Sequence, residues 1–252
     1  MPINPHLPRA FDLILQVDRL FAALIPQAVP EHGLGGNLLY AGELDAPGRA
    51  LVAAGNIAGA ASLAATADPA AQKQAIREGV IDFLVTSLEE ALRILKNEIR
   101  KRETVSVCVA APPLAVEREM LERGVLPDLL PPDVAGAPEF AAFLSQGARL
   151  PGPVDAASNQ VLVAWSVTSE PALWLPKLEA VAHDCLAPED WPARRWLRLA
   201  PRYLGRQAQR VRLMRCNEEA ARRFLDQVRQ RTERSEIGVP VEIQLIPNPQ
   251  AE

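Results

Sequence analysis

Two glycines, an arginine and an acid lie where a dinucleotide-binding turn would need them. Gly42 ends a short apolar run, Gly48 and Arg49 open an alanine-rich helix, and Asp68 follows a second apolar run, 20 residues after Gly48. Glycines in such a turn let the backbone approach a phosphate, the helix N-terminus attracts its charge, and the acid binds a ribose hydroxyl. The spacing predicts a nucleotide or small-anion site formed by Gly42, Gly48, Arg49 and Asp68.

The same turn, with the sequence AGELDAPGRA, also carries acidic side chains. Glu43 and Asp45 place negative charge beside the helix N-terminus, which opposes the binding of a phosphate, and Arg49 offsets part of that charge. Asp68 has a second interpretation, which we favour. It precedes Pro69 and a helical run, and it is therefore a good N-cap for the next helix.

A second candidate site is strongly basic. Arginine side chains match the geometry of phosphates and carboxylates, and aromatic rings can stack on bases. We favour the alternative of a solvated helix face, for which Glu218, Glu219 and Asp226 of a following helix are candidate partners, and nucleic acid is not the expected ligand of a chain with a net charge of −4. The segment interleaves Trp191, Trp196 and Tyr203 with eight arginines, namely Arg194, Arg195, Arg198, Arg202, Arg206, Arg210, Arg212 and Arg215.

No other pattern of catalytic or metal-ligating residues is apparent. Cys108, Cys185 and Cys216 form no CxxC pair, and His183 is followed directly by Asp184 and Cys185, so these three do not share a helix face. A nucleophilic pair of His183 with Cys108 or Cys216 stays geometrically open. We therefore assign no catalytic residue and no metal ligand.

The composition is that of an ordinary globular protein, with 48% hydrophobic and 23% charged residues. Three unpatterned cysteines predict a reducing, cytoplasmic location. The N-terminus lacks a signal-peptide pattern, and no apolar run approaches 18 residues, so we expect no membrane partner.

The elements that position these residues follow an α/β pattern. Apolar runs predict strands at 37–41, 60–65 and 105–110 and a short strand within 125–130, with helices at 49–57, 88–101 and 114–123 between them. Ser87 and Glu90 form a capping box. The nearly all-apolar run VSVCVA at 105–110 is typical of a parallel sheet covered on both faces. We expect a Rossmann-like parallel sheet with helices on both faces, and a smaller C-terminal α/β domain.

Stretches rich in proline and glycine suggest the domain limits. We predict a Rossmann-like domain at 1–135, a linker at 136–158 with a short helix at 137–146, and the smaller α/β domain at 159–252. The last domain should contain strands at 160–167, 211–213 and 239–246 and helices at 170–187 and 217–231. Asn217 is the expected N-cap of the last helix, and Pro240 predicts an edge strand.

The order of these motifs resembles the NAD-binding Rossmann domain of urocanase (urocanate hydratase). The resemblance covers about residues 10–133. It rests on the alanine-rich helix ending in Ala58-Gly59, the SLEEAL run from Ser87 to Leu92, and Arg123-Gly124 followed by Pro127-Asp128. It implies a Rossmann-like fold and a bound NAD, which urocanases use as an electrophile toward the imidazole ring of urocanate.

Several features of that family are replaced in this chain. The glycine-rich turn is reduced to GELDAPGRA, the GNAAE-like loop becomes Ala111-Pro112-Pro113, and the TDQTSAHDP-like segment becomes a histidine-free run from Pro131. The core domain with the catalytic cysteine loop is not recognisable. We therefore predict a urocanase-related protein without urocanate hydratase activity. Its cofactor is unknown, with NAD as the one named candidate.

Three functions stay open from the sequence. The first is a nucleotide or small-anion binder that uses the Rossmann-like crevice. The second is a non-enzymatic binding or assembly protein that forms a homodimer, or another homo-oligomer, through apolar surfaces. The third is an arginine-driven binder of phosphate or nucleic acid. We favour a function between the first two.

Overall fold

The computed structural model describes residues 9–134, 136–153 and 160–246. The chain divides into two compact units, Val17–Pro153 (the first unit) and Met1–Gln16 together with Val154–Glu252 (the second unit). Helix α1 (Arg9–Leu24) contributes residues to both. The domain limits given above stay predictions. The predicted linker contains helix α6 (Pro138–Ser145), whose phenylalanines are buried in the core of the first unit.

The first unit is built on a parallel sheet in the order β1 (Leu38–Glu43), β2 (Ala61–Ala65), β4 (Val105–Val109), β3 (Phe83–Val85). Every residue of the two central strands is buried, as expected for a sheet covered by helices on both faces. The predicted α/β fold with a parallel sheet is confirmed. The helices that alternate with these strands are α2 (Ala46–Ala58), α3 (Pro69–Glu78), α4 (Leu88–Lys101) and α5 (Pro113–Glu122).

Helix α4 begins and ends at the predicted residues because its caps are encoded locally. The Ser87 hydroxyl accepts a hydrogen bond from the Glu90 N–H at 3.3 Å, and the Glu90 carboxylate accepts one from the Thr86 N–H at 3.2 Å. The capping box is therefore confirmed, with its return bond displaced by one residue from the expected Ser87 N–H.

The predicted strand within 125–130 is wrong. Of this run only Leu129 pairs, through isolated parallel bridges to Leu39 of β1 and to Arg149. The Asp128 carboxylate accepts a hydrogen bond from the Leu38 N–H at 2.7 Å, so a side chain takes a bond that a strand backbone would make. The segment nevertheless lies alongside β1, on the side away from β2.

The second unit contains an antiparallel sheet in the order β6 (Val211–Asn217), β5 (Gln160–Val167), β7 (Val241–Ile246). Strand β5 has its predicted bounds, and β7 lies at an edge as Pro240 indicated. Strand β6 runs beyond the predicted 211–213 because it pairs with β5 along its whole length. The helices are α7 (Pro171–Asp184), α8 (Trp191–Leu204) and α9 (Glu218–Glu233).

Asn217 caps α9, as predicted, because its side-chain oxygen accepts a hydrogen bond from the Ala220 N–H at 2.8 Å. Helix α7 ends at Asp184, three residues short of the prediction, and its C-cap is Cys185. The core of this unit is anchored by Trp165 of β5 and Phe224 of α9, whose ring centroids are 4.9 Å apart.

Candidate functional site at the carboxyl edge of the parallel sheet

The connections of the first unit diverge beside β1, which is where a nucleotide-binding α/β fold has its crevice. The chain passes from β1 to β2 on one side, and after α5 it returns with Leu129 on the other side of Leu39. In open α/β sheets, ligands bind outside the carboxyl ends of the strands where the connections diverge in this way. The candidate site therefore lies between the β1–α2 turn and the segment that follows Leu129.

Gly42 makes the chain turn sharply at the end of β1. It has a φ of 71°, and the register between β1 and β2 shifts between Tyr40 and Glu43. Only glycine adopts this backbone conformation without strain. A Cβ atom added at Gly42 would lie 3.8 Å from the Cγ atom of Pro131, so this proline ring lies directly beside the turn.

Gly48 is required by the chain's own backbone. A Cβ atom at this position would lie 1.9 Å from the carbonyl oxygen of Glu43, which no side chain can tolerate. The close approach that a phosphate-binding glycine normally offers to a ligand is here used to close the β1–α2 turn. The sequence predicts a close backbone approach at this glycine, and in the structure the group that it approaches is a carbonyl of the chain itself.

The Asp45 carboxylate occupies the N-terminus of α2. Its Oδ1 atom accepts a hydrogen bond from the Gly48 N–H at 2.9 Å, and Pro47 supplies no N–H in the same turn. Both Asp45 and the neighbouring Glu43 are exposed. The donor and the helix dipole that would attract a phosphate are thus already used by a negative side chain, so the turn is a poor electrostatic fit for a pyrophosphate.

Arg49 points its charge into the fold. Its Nε atom lies 3.0 Å from a carboxylate oxygen of Glu78 at the end of α3, and its guanidinium also donates to the Leu44 carbonyl at 3.4 Å. Both partners of the ion pair are about three-quarters buried, with side chains 20% and 26% exposed. This pair joins α2 to α3 and compensates the arginine charge internally.

Asp68 caps α3, which confirms the interpretation favoured from the sequence. Its Oδ1 atom accepts a hydrogen bond from the Ala70 N–H at 2.8 Å, and its own N–H donates to the Thr66 hydroxyl at 3.2 Å. The role of Gly42, Gly48, Arg49 and Asp68 in binding a nucleotide stays a prediction. The structure gives each of them a contact within the fold.

Gly55 is a further glycine of this unit that makes a close contact, and the sequence patterns do not single it out. A Cβ atom there would lie 2.5 Å from the Cδ2 atom of Leu39 and 3.1 Å from the Ser62 hydroxyl. Close packing of the first helix on the sheet is the task of the third glycine in a dinucleotide-binding turn. Here that glycine lies seven residues beyond Gly48, in the run AAGNIAG, so a search for GxGxxG does not find it.

A buried polar pair lies beneath the crevice. The Tyr40 hydroxyl of β1 donates a 2.8 Å hydrogen bond to a carboxylate oxygen of Glu117 on α5, and both residues are buried. Burial raises the pKa of Glu117, and the hydrogen bond from Tyr40 opposes this change. Burial, reinforced by the nearby Glu117 charge, raises the pKa of Tyr40, which keeps its hydroxyl protonated. The pair was not predicted, because 77 residues separate its members.

The cysteines offer little nucleophilic character. All three are buried, and burial raises the pKa of Cys108 and of Cys216 to about 12. In the ranges that the structure describes, no group of three or more His, Cys, Asp or Glu side chains is placed to hold a metal ion. Within the same ranges, no helix has the length and apolar character needed to cross a bilayer.

The comparison with protein families agrees with this architecture. Residues 19–147 match the family model described as the urocanase Rossmann-like domain. The chain belongs to the urocanase family through this domain. The match extends from α1 through α6 and confirms the resemblance drawn from the sequence.

The family motifs acquire structural roles in this urocanase-like domain. Gly59, which ends the alanine-rich helix, has a φ of 101° and closes α2 in the left-handed conformation. Asp128 of the Pro127-Asp128 motif holds the amino end of β1 through the Leu38 N–H. The Ser87–Leu92 motif begins α4. These motifs therefore specify the fold of the domain, and they lie outside the β1–α2 turn.

Proposed function

We propose that this urocanase-family protein does not use NAD and acts as a non-enzymatic binding or assembly protein. The single observation that carries the proposal is the Asp45 carboxylate on the N-terminus of α2, 2.9 Å from the Gly48 nitrogen. A phosphate placed there would meet Asp45 and Glu43 while Arg49 is engaged by Glu78. Like charges repel strongly at such short separations, so the turn disfavours a dinucleotide.

The partner in assembly is proposed to be a second copy of the chain. Strand β3 is the edge of the parallel sheet opposite to β1, and its neighbouring residues Phe83 and Leu84 are 47% and 40% exposed. Successive side chains of a strand point to opposite faces, so both faces of this edge are apolar. An open apolar edge strand is a template for pairing with another strand.

The proposed location is the cytoplasm. The three cysteines are free and buried, which fits a compartment where thiols stay reduced. In an oxidising compartment, burial alone would have to keep these cysteines as free thiols.

Calorimetric titration of the full chain with NAD tests the central proposal. We expect no saturable heat from the wild-type protein. Saturable NAD binding would overturn the proposal and would support the predicted nucleotide site at Gly42, Gly48, Arg49 and Asp68.

A second arm uses Asp45→Asn, which keeps a good N-cap but removes the negative charge. Sulfate should raise the melting temperature of Asp45→Asn more than that of the wild-type protein, because an anion can then approach the N-terminus of α2. Asp226→Asn, which removes the same charge from an exposed position inside α9, is the matched control and should respond like the wild-type protein because it frees no helix N-terminus. Equal responses of Asp45→Asn and the wild-type protein would count against the role given to Asp45.

A further inference from the structure

One segment of the second unit is rich in arginine and contains no acidic residue. The segment from Trp191 to Asn217 comprises α8, the 3-10 turn Gly205–Gln209 and β6. It contains eight of the chain's 27 basic side chains and none of its 31 acidic ones. Two of these arginines serve the fold: Arg194 donates to the Leu186 carbonyl at 3.0 Å, and Arg212 forms a largely buried ion pair with Glu179.

Four other arginines of this segment are exposed, and none of them pairs with a carboxylate of the residues described here. Arg198 and Arg202 lie one turn apart on α8, Arg206 follows in the 3-10 turn, and Arg210 comes directly after it. We call these four residues the arginine surface. Several exposed arginines elsewhere pair with a glutamate four residues away, namely Arg93, Arg123, Arg222 and Arg229. Arg100 of α4 and Arg118 of α5 are also exposed and make no such pair among the described residues, so what distinguishes the arginine surface is the succession of four such arginines without an acid between them.

None of the acids proposed from the sequence as partners forms an ion pair with the arginine surface in the described part of the chain. Glu218 pairs with Arg222 at 3.0 Å and Glu219 with Arg223 at 3.1 Å, both within α9. Asp226 makes no ion pair with the described part of the chain.

The arginine surface is also costly to the fold. Like charges one helical turn apart, such as Arg198 and Arg202, destabilise a helix by about 0.2–0.5 kcal/mol. Arg198 also contributes, after burial, to lowering the pKa of Arg195. No acid in the described part of the fold pairs with these four arginines, so a bound anion would relieve the repulsion between them.

The surroundings of the four arginines distinguish among anionic partners. The apolar side chains Trp196, Leu197 and Leu204 of α8 are buried, and no large apolar side chain described between 191 and 217 is exposed. A protein interface has an apolar core, and a helix that lies on a membrane exposes an apolar face. A nucleic-acid backbone needs only positive charge and donors, which arginine supplies in a planar fork.

We propose that the arginine surface binds the sugar-phosphate backbone of a nucleic acid without reading its sequence. The proposal is independent of the function proposed above, because it concerns the second unit alone. It also explains why the segment from Trp191 to Asn217 contains no acidic residue.

The test is the fluorescence anisotropy of a labelled single-stranded oligonucleotide of mixed sequence, titrated with the full chain at increasing salt. Four phosphate contacts predict that the logarithm of the binding constant falls against the logarithm of the salt concentration with a slope of about −2.8. R198Q/R202Q/R206Q/R210Q should lose this salt-dependent binding. The matched control R93Q/R123Q/R222Q/R229Q makes the same change in net charge at ion-paired arginines and should keep it.

Several results would overturn the proposal. They are an absence of binding by the wild-type chain at low salt, an equal loss in the matched control, and binding of polyglutamate or of anionic vesicles in place of the oligonucleotide. If the glutamine variant does not fold, the corresponding variant with four lysines decides the matter. It keeps the charge and should therefore keep the wild-type salt slope, and a lost slope would contradict the proposal.

Discussion

Glu117 places a carboxyl group in an apolar core, where Tyr40 is its hydrogen-bond donor. Burial raises the pKa of Glu117 in the folded state, so the ionised carboxylate has a higher free energy there than in the unfolded chain. The carboxyl therefore destabilises the fold above its folded pKa. This penalty fades as the pH falls through the folded pKa, and it is absent below the pKa of the unfolded chain.

Glu117→Gln should make the protein more stable than the wild type at neutral pH, because the amide oxygen still accepts from Tyr40 and carries no charge. The difference in the free energy of unfolding should shrink as the pH falls toward the ordinary glutamate range. Urea unfolding at several pH values measures both effects. A variant less stable than the wild type at neutral pH would contradict the role given to burial.

Tyr40→Phe provides the opposite arm of this test. It leaves the buried carboxyl without its donor and should cost about 1–3 kcal/mol. In Tyr40→Phe/Glu117→Gln, the cost of losing the hydroxyl should be smaller, since the remaining buried group is uncharged.

Contacts between residues far apart in the chain could not be predicted from residue types. The N-cap role of Asp68 could be predicted because its signal lies within a few neighbouring residues. The Tyr40–Glu117 hydrogen bond joins residues 77 positions apart, and the Arg49–Glu78 ion pair joins residues 29 positions apart. No pattern among neighbouring residues predicts either contact. The identity of Asp45 as the cap of α2 was within reach, since an acid three residues before Gly48 is a common N-cap signal.

At the scale of elements, the packing of α2 on β1 depends on Gly55. Gly55→Ala should destabilise the protein by about 1–3 kcal/mol, because the new Cβ atom would lie 2.5 Å from the buried Leu39 side chain. The higher helix propensity of alanine offsets up to about 1 kcal/mol of this destabilisation. Chemical unfolding of the variant gives the net value.

A double-mutant cycle with Leu39→Val isolates that contact. Valine lacks the Cδ2 atom, so Gly55→Ala should cost less in the Leu39→Val background than in the wild type. Strictly additive costs would show that the close approach of α2 to β1 is unimportant.

Elements whose ends are locally encoded were predicted best. Helix α4 has a capping box at its start and a buried apolar stripe along its length, and strand β5 is a long apolar run. The ends of β6 and of the 125–130 segment depend on partners. Pairing with β5 extends β6 to Asn217, whereas the Asp128 side chain replaces backbone pairing at the start of β1.

At the scale of the whole molecule, the open β3 edge predicts self-association. Phe83→Lys together with Leu84→Lys should shift the protein toward the monomer in light scattering coupled to size exclusion, because lysine on an edge strand opposes pairing. Leu114→Lys, at a 58% exposed position on α5, is the matched control and should leave the oligomeric state unchanged. A wild-type protein that is monomeric at all concentrations would contradict the assembly proposal.

The family and the fold class could be predicted for the molecule as a whole, because motif order and apolar periodicity are spread along the chain. The groups that fill the candidate crevice could not be predicted from the sequence. The backbone geometry at Gly42 and Gly48 determines whether the Asp45 carboxylate faces solvent or the N-terminus of α2, and this geometry is not evident from residue types.

The Asp45 cap has a consequence for how this domain behaves inside a cell. A Rossmann domain that waits for a dinucleotide gains stability only when the cofactor is present, by an amount that grows with its concentration. A tethered carboxylate is present at a constant effective concentration from the moment the turn forms. Under the proposed function, the folded fraction of this domain should therefore not depend on the concentration of NAD in its host.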